Sequence, residues 1–530
     1  MMNSKTELLT ILEASELASK VLDKPVSTSN ISYLIQYGHL KKRDGNGTLL
    51  ISKEDLLNYY DSKIMNKEDK WKSHLGEDLN WALSFDNIPE KIRTKHVHRL
   101  HPYKGKFIPQ LVEYFIDSHT DEFKREVFFK PGDIILDPFC GSGTTLVQSA
   151  ELGIDSIGID ISAFNAMISN VKVDNHNIPA ISNELNKITE KLKAFVDGKS
   201  YIKFEEKLLS ELSSYNNTFF PTPDYRFNIR QGIIKENDYS IAKEAEFLKI
   251  FNNLVKKYNI DICSEPGETN GFLDKWFNLP VHEEIEFVFS LIKEIEDKEI
   301  KKVLAVILSR TMRSCRATTH NDLATLIDPV YTTYYCRKHY KICKPIYSIV
   351  GWWERYSSDT IKRLKEFKAL KRDSYQHCFI GDSRSIDLDR AIKQNNQNFY
   401  KKFLQNKIKG VFSSPPYVGL IDYHEQHAYA YDLFKFGRKD ELEIGPLFRG
   451  QNLEAQESYV QGIAEVLRHC RKWLADDFNI FLVANDKYSL YPRIVKNADM
   501  QIVNIFKRPV LNRTEKDKTP YSEFIFHIRG

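Results

Sequence analysis

Asp133-Ile134-Ile135-Leu136-Asp137-Pro138-Phe139-Cys140-Gly141-Ser142-Gly143-Thr144-Thr145 reads as one unit: a buried strand, a glycine-rich turn and the start of a helix. Glycines at 141 and 143 let a ligand approach the backbone where side chains would block it. Thr144 and Thr145 are placed to cap the helix that follows. A second strand, Ser156-Ile157-Gly158-Ile159, ends at Asp160, 23 residues beyond Asp137. An acidic residue at that remove from the glycine turn is placed to accept hydrogen bonds from ribose hydroxyls. No phosphate-binding lysine follows the glycines, so this is not a P-loop, and the spacing lacks the third glycine of a dinucleotide fingerprint. A nucleoside without a pyrophosphate fits better than NAD.

Far downstream, the apolar run Gly410-Val411-Phe412 leads into Ser413-Ser414-Pro415-Pro416-Tyr417. Two consecutive prolines remove two backbone donors and fix two φ angles, so the chain leaves the sheet along one stiff path. A hydroxyl, the carbonyls around Pro415 and an aromatic ring then stand at the C-terminal end of a strand, where ligands of open α/β sheets bind. Such a platform suits gripping a planar base by its exocyclic amine. Taken alone, a Pro-Pro turn that only closes a strand reads equally well.

The two motifs together, in this order and with Asp160 between them, resemble the S-adenosylmethionine-dependent DNA methyltransferases that modify exocyclic amino groups. The resemblance covers roughly residues 95–175 and 376–530. It implies an α/β fold, a Rossmann-like class I methyltransferase sheet, with S-adenosyl-L-methionine as cofactor. By resemblance Asp137, Phe139, Gly141, Ser142, Gly143, Thr144, Asp160 and Ile161 surround that cofactor, and Ser414, Pro415, Pro416 and Tyr417 are catalytic. Residues 98–109 resemble the segment that holds the methionine end of the cofactor, which nominates Lys106 and Phe107; a loop that merely covers the sheet edge competes with that reading. Gly381-Asp382-Ser383-Arg384 resembles the segment whose acidic residue meets the adenine, which adds Asp382 and Ser383. Here the chain departs from the usual layout, because a long insertion precedes this segment rather than following it.

The chain has 530 residues, 42% hydrophobic and 28% charged, with a formal net charge of +4. That length allows three or four domains, and so small a charge makes any nucleic-acid surface local. No apolar run of 18 residues and no signal peptide is read, which predicts a cytoplasmic protein without a membrane partner; the resemblance implies that it is prokaryotic and DNA-associated. The seven cysteines are scattered and odd in number, as expected of reduced thiols. Cys336 and Cys343 flank His339, and zinc there is the lesser reading; without a CxxC they read as buried or incidental thiols, and no metal is expected.

Four domains are expected. Residues 1–65 read as helix (7–23), helix, hairpin and helix, which resembles the winged helix-turn-helix of excisionases and MerR-type regulators. On that reading Ser29, Asn30, Tyr33 and Gln36 line a recognition helix; a module for protein contacts is the alternative. Residues 66–175 form the cofactor-binding half of the core. Residues 176–375 form a largely helical target-recognition insertion, with helical periodicity over 181–196, 205–213, 240–257 and 283–309. Within it Arg310, Arg313 and Arg316 recur every three residues and, with Thr318 and His320, are read as DNA contacts; a solvated basic face is the bland reading. Residues 376–530 form the catalytic half, with Tyr423 and His424 near the substrate and DNA. There the last two strands, 501–506 and 523–528, form an antiparallel hairpin around a basic loop of Lys507, Arg508, Arg513, Lys516 and Lys518.

An exocyclic amine is a weak nucleophile because its lone pair is delocalised into the ring. Hydrogen bonds from the amine to the Ser414 hydroxyl and the Pro415 carbonyl would aim that lone pair at the donor methyl, so positioning supplies the rate. The base must leave the duplex, at a cost of a few kcal/mol, and Tyr417 would stack on it. No Pro-Cys nucleophile motif of the cytosine-C5 enzymes occurs. Serine at position 414 is, in the resembled family, associated mainly with cytosine N4 and aspartate mainly with adenine N6. The expectation is a site-specific DNA methyltransferase acting on cytosine N4 in double-stranded DNA, with a possible cognate restriction endonuclease as partner. Adenine N6 methylation, an RNA amino-methyltransferase and a non-catalytic DNA-binding regulator are the alternatives.

Overall fold

A computed structural model describes residues 7–22, 25–45, 48–61, 67–262, 271–322, 326–511 and 519–530. Seven strands form the central sheet: β1 (Ile134–Asp137), β2 (Asp155–Asp160), β3 (Gln376–Ile380), β4 (Ile408–Ser413), β5 (Leu474–Ala484), β6 (Gln501–Pro509) and β7 (Ser522–Arg529). Their spatial order is β6-β7-β5-β4-β1-β2-β3. Strands β3, β2, β1, β4 and β5 pair in parallel, whereas β7 is antiparallel to both β5 and β6. The order turns back on itself between β1 and β4, the switch point at which open α/β sheets hold ligands. This is an open, mainly parallel Rossmann-like sheet, as expected, with the antiparallel hairpin at its edge.

Side chains along the central strands alternate between two cores. Leu136, Val411, Ile480 and Leu482 face one layer, and Ile135, Phe412, Phe481 and Val483 face the other, as the pleat requires. The helix Thr144–Leu152 follows β1, and its N-cap is Gly143 rather than a threonine. The Thr145 hydroxyl instead donates to the Phe412 carbonyl of β4 (3.2 Å), which ties the first motif to the second.

The insertion enters between β2 and β3. It holds long helices (Ile178–Val196, Ser200–Phe219, Glu236–Tyr258, Leu279–Lys293, Lys298–Cys315, Val350–Lys368) and a two-stranded hairpin, Tyr334–Cys336 with Lys341–Cys343. The stretch expected as one helix over 283–309 is two, because Asp297 caps a new helix by accepting from Glu299 and Ile300 N–H. Its apolar residues join those of the helices Thr144–Leu152 and Ala163–Val173 in one continuous core.

The N-terminal residues have their own small core around Ile31, Ile51 and Leu56. Leu8–Thr10, expected as helix, is a strand pairing with Leu50–Ser52; the helix begins at Ile11, capped by Thr10. This module docks on the insertion: Arg226 donates to the Gln36 carbonyl (2.8 Å) and stacks on Tyr37. Of the expected basic loop, Arg513, Lys516 and Lys518 lie outside the described residues. Lys507 is paired with Asp78, and Arg508 is buried beside Glu523, so neither is presented to solvent as expected.

Candidate active site

The C-terminal ends of β1, β2, β3 and β4 open on a cleft lined by the loops that follow them. The two motifs meet there. Phe139, Gly141, Ser142 and Thr144 line it from the loop after β1, and Ser414 and Pro416 line it from the loop after β4. The contact is fixed from behind by the Ser413 hydroxyl, which donates to the Asp137 carboxylate at 2.6 Å. Asp137 is therefore a buried tie between strands and does not line the cleft, contrary to the cofactor role expected of it. Burial pushes its carboxyl up to about 6, against the opposing bonds from Ser413, Thr145 and Phe139.

Gly143 also stands behind the lining. Its φ is +74°, and a Cβ there would sit 2.9 Å from the Ser169 side chain, so only glycine fits. Asp160 lines the cleft and organises the turn at once. One carboxylate oxygen accepts from Gly141 N–H at 2.7 Å; the other accepts from Ser162 N–H (2.8 Å) and Asn165 Nδ2 (3.2 Å). Desolvation again raises its pKa to about 6, partly offset by those donors. Ile161, Asp382 and Ser383 line the same wall. Arg384 clamps both oxygens of Asp382, and the Ser383 hydroxyl donates to the Pro138 carbonyl.

Lys106 and Phe107 close the opposite side. Lys106 Nζ donates to the His98 carbonyl (2.7 Å), and burial with the nearby Arg99, Arg310 and Arg363 lowers its pKa to about 8. Of the residues expected to be catalytic, Pro415 is buried behind the wall. Tyr417 is half-buried, its ring against the layer of Leu136 and Val411 and its hydroxyl donating to Glu523 at 2.9 Å. It does not line the cleft, so the stacking expected of it is not part of this wall.

Several wall residues carry no sequence signal. Tyr103 lies against Gly141 and stacks near Tyr423, which also lines the cleft. Glu443 accepts from His424 N–H at 2.9 Å and from its Nδ1, and so fixes the loop after β4. Only the apolar-polar setting of Tyr103 within the segment 98–109 hinted at it; Glu443 sits in a loop without any motif.

The residues expected to meet DNA separate into two groups. Ser29, Asn30, Tyr33 and Gln36 are exposed on the helix Thr28–Gln36, although Asn30 is also engaged in a capping box with Ser27. The arginine series is scaffold. Arg310 is bound to Asp359 (2.7 Å) and packs over Tyr356; Arg316 and Thr318 are 6% and 5% exposed. Arg313 is half-buried beside the histidines His101 and His427, whose protonation it opposes. His424 is wholly buried, and His320 faces Cys336 and Tyr334 rather than open solvent. An i, i+3 repeat fixes which side of a helix carries charge, not whether that side is covered.

A family model described as a DNA methylase, N6_N4_Mtase, matches residues 29–171. The type II methyltransferase M.MjaII of Methanocaldococcus jannaschii is 44% identical over 525 residues, covering 99% of this chain and 97% of that protein. The chain belongs to the type II DNA methyltransferases. More distant relatives of this methyltransferase include M.MvaI of Kocuria varians, 23% identical over 68% of this chain and 61% of that protein. M.BsoBI of Geobacillus stearothermophilus is 24% identical over 57% of this chain and 63% of that protein. No solved structure matches. No described helix is long and apolar enough to cross a membrane.

Membership implies S-adenosylmethionine as methyl donor, and the cleft of this methyltransferase suits it. The Ser142 hydroxyl and Asn165 Oδ1 are buried in the wall without a protein partner, alongside the carboxylates of Asp160, Asp382 and Glu443 and the lysine Lys106. Unpartnered polar atoms at a concave site call for a polar ligand, and this mixture matches the hydroxyls and amino-acid end of that molecule.

Proposed function

We propose that this methyltransferase modifies the exocyclic amine of a base flipped out of double-stranded DNA, with cytosine N4 as the target. The observation that carries the reading is the joint lining of one cleft by Gly141, Asp160 and Ser414. S-adenosylmethionine supplies an electrophilic methyl group when bound. On this reading Asp160 and Asp382 accept from its hydroxyls and base, Ser142 and Asn165 complete the polar wall, and Lys106 and Phe107 face its amino-acid end. The Ser414 hydroxyl accepts from the target amine and holds its lone pair in line, with Pro415 behind the wall as support, so rate comes from positioning rather than from a covalent enzyme intermediate. Pro416 keeps that grip stiff. With its hydroxyl tied to Glu523, Tyr417 supports this loop, and base stacking falls to rings that line the cleft, such as Tyr423.

Serine rather than aspartate at 414 favours cytosine N4 over adenine N6, through the family association of that position. The exposed face of Thr28–Gln36 supports a duplex-reading role for the N-terminal module. Type II methyltransferase is the name of the relatives; a cognate endonuclease that cuts the same unmodified site follows as a partner of this chain. The test incubates full-length protein and methyl-labelled S-adenosylmethionine with duplex DNA, then digests the DNA to nucleosides. Label in N4-methylcytosine is expected. Label in N6-methyladenine would overturn the choice of base, and label only in added RNA would overturn the substrate.

A further inference from the structure

We propose that His320, Cys336, His339 and Cys343 form a tetrahedral zinc site that fastens the hairpin Tyr334–Cys343 to the loop after the helix Lys298–Cys315. Their candidate ligand atoms all lie within 4.8 Å of one another. Cys336 Sγ is 3.8 Å from His320 Nδ1 and 3.5 Å from His339 Nδ1, and Cys343 Sγ is 3.6 Å from His339 Nδ1. Zinc bonded tetrahedrally to sulfur at about 2.3 Å and to nitrogen at about 2.05 Å separates such sulfur–nitrogen pairs by about 3.6 Å. The protein already holds its ligands at that spacing.

Local architecture explains why four such groups converge. The hairpin has three residues in each strand, with Tyr334 opposite Cys343 and Cys336 opposite Lys341. A two-stranded hairpin is marginal without further support. The small core beneath it comprises Tyr334, Cys336 and Cys343, so two of its three buried members are thiols. His339 lies in the turn between the strands. His320 arrives from the loop, its ring 4.4 Å from that of His339; its Nδ1 lies 2.7 Å from the Tyr334 hydroxyl, a contact that zinc would displace.

Among the described residues two other groups of acidic and histidine side chains lie close together, around Glu151 and around Glu443, but neither contains a thiol. Lys95 already pairs Glu151, and Arg438 already pairs Asp440 of the second group. The thiol site stands away from the cleft and beside the seat of the N-terminal module: Arg226 donates both to the His339 carbonyl (3.0 Å) and to the Gln36 carbonyl. The role is therefore structural.

The full-length protein, purified without chelator, is expected to contain about one zinc per chain by elemental analysis, falling below about a tenth in Cys336→Ser/Cys343→Ser. If that variant does not fold, cobalt(II) added to chelator-stripped wild-type protein gives the reading. Intense tetrahedral thiolate bands that zinc then bleaches are expected. Wild-type protein without zinc whose cobalt spectrum is octahedral overturns the site, as does a mass two hydrogens lighter that reports a Cys336–Cys343 disulfide. Amide exchange over 334–343 is expected to quicken on stripping. Unchanged exchange with zinc bound in the starting protein overturns the fastening role.

Discussion

Residues 133–145 and residues 309–321 are about equally conspicuous in the sequence, one for its glycines and the other for its arginines, and the fold uses them in opposite ways. The first stretch forms the floor of the cleft, where Gly141 and Ser142 expose backbone and a hydroxyl to a ligand. In the second, Arg310 is bound to Asp359, and Arg316 is buried. Glycine and proline act through backbone geometry, which local sequence carries with it. A charged side chain acts through what surrounds it, and the helix Val350–Lys368, which supplies Asp359 and Tyr356, lies some fifty residues away in sequence.

That contrast can be broken at three residues. Gly143→Ala carries the largest expected effect. The new Cβ meets Ser169 at 2.9 Å, an overpacking of about 1–3 kcal/mol added to left-handed strain of about 1 kcal/mol. S-adenosylmethionine affinity, measured by calorimetry, should fall about a hundredfold; unchanged affinity would show that the turn does not shape the cleft. Asp160→Asn removes a charged acceptor worth about 1.5–3 kcal/mol, so affinity should fall by roughly tenfold or more. A full-strength Asn variant would leave Asp160 a support for the turn only.

The same carboxylate gives a pH signature. Its pKa lies near 6, raised by burial, so the ionised acceptor is present above that value and lost as pH falls through it. Wild-type affinity should therefore decline below pH about 6, and this decline should flatten in Asp160→Asn. Arg310→Ala completes the set from the other stretch. It removes one partner of a largely buried ion pair, while Arg363 continues to hold Asp359 at 2.8 Å. Stability should drop by about 1–3 kcal/mol in denaturant melts. The salt dependence of DNA binding should not move; a slope lower by about one would restore a phosphate contact.

Much of the fold was legible because alternation and punctuation are local. The strands β1, β2 and β4, the two turns and the edge hairpin follow from apolar runs ended by glycine, aspartate or proline. The break at Asp297 was missed because apolar periodicity runs on through it while one capping side chain decides the boundary. At the site, Gly141, Asp160 and Ser414 were legible as backbone-defined positions. Asp137 and Tyr417 were misplaced because their partners, Ser413 and Glu523, belong to strands distant in sequence. Glu443 and Tyr103 were not seen, since a loop residue becomes part of a wall only once the loops close.

The central claim is that two loops share one cleft with divided duties, one holding the methyl donor and the other the amine. Ser414→Ala tests it most directly, with S-adenosylmethionine affinity and single-turnover methyl transfer to duplex DNA measured on the same preparation. Affinity close to wild type with transfer slowed about a hundredfold, the usual effect of losing one positioned polar group at a reacting centre, is the result predicted. Transfer at the wild-type rate would contradict the claim.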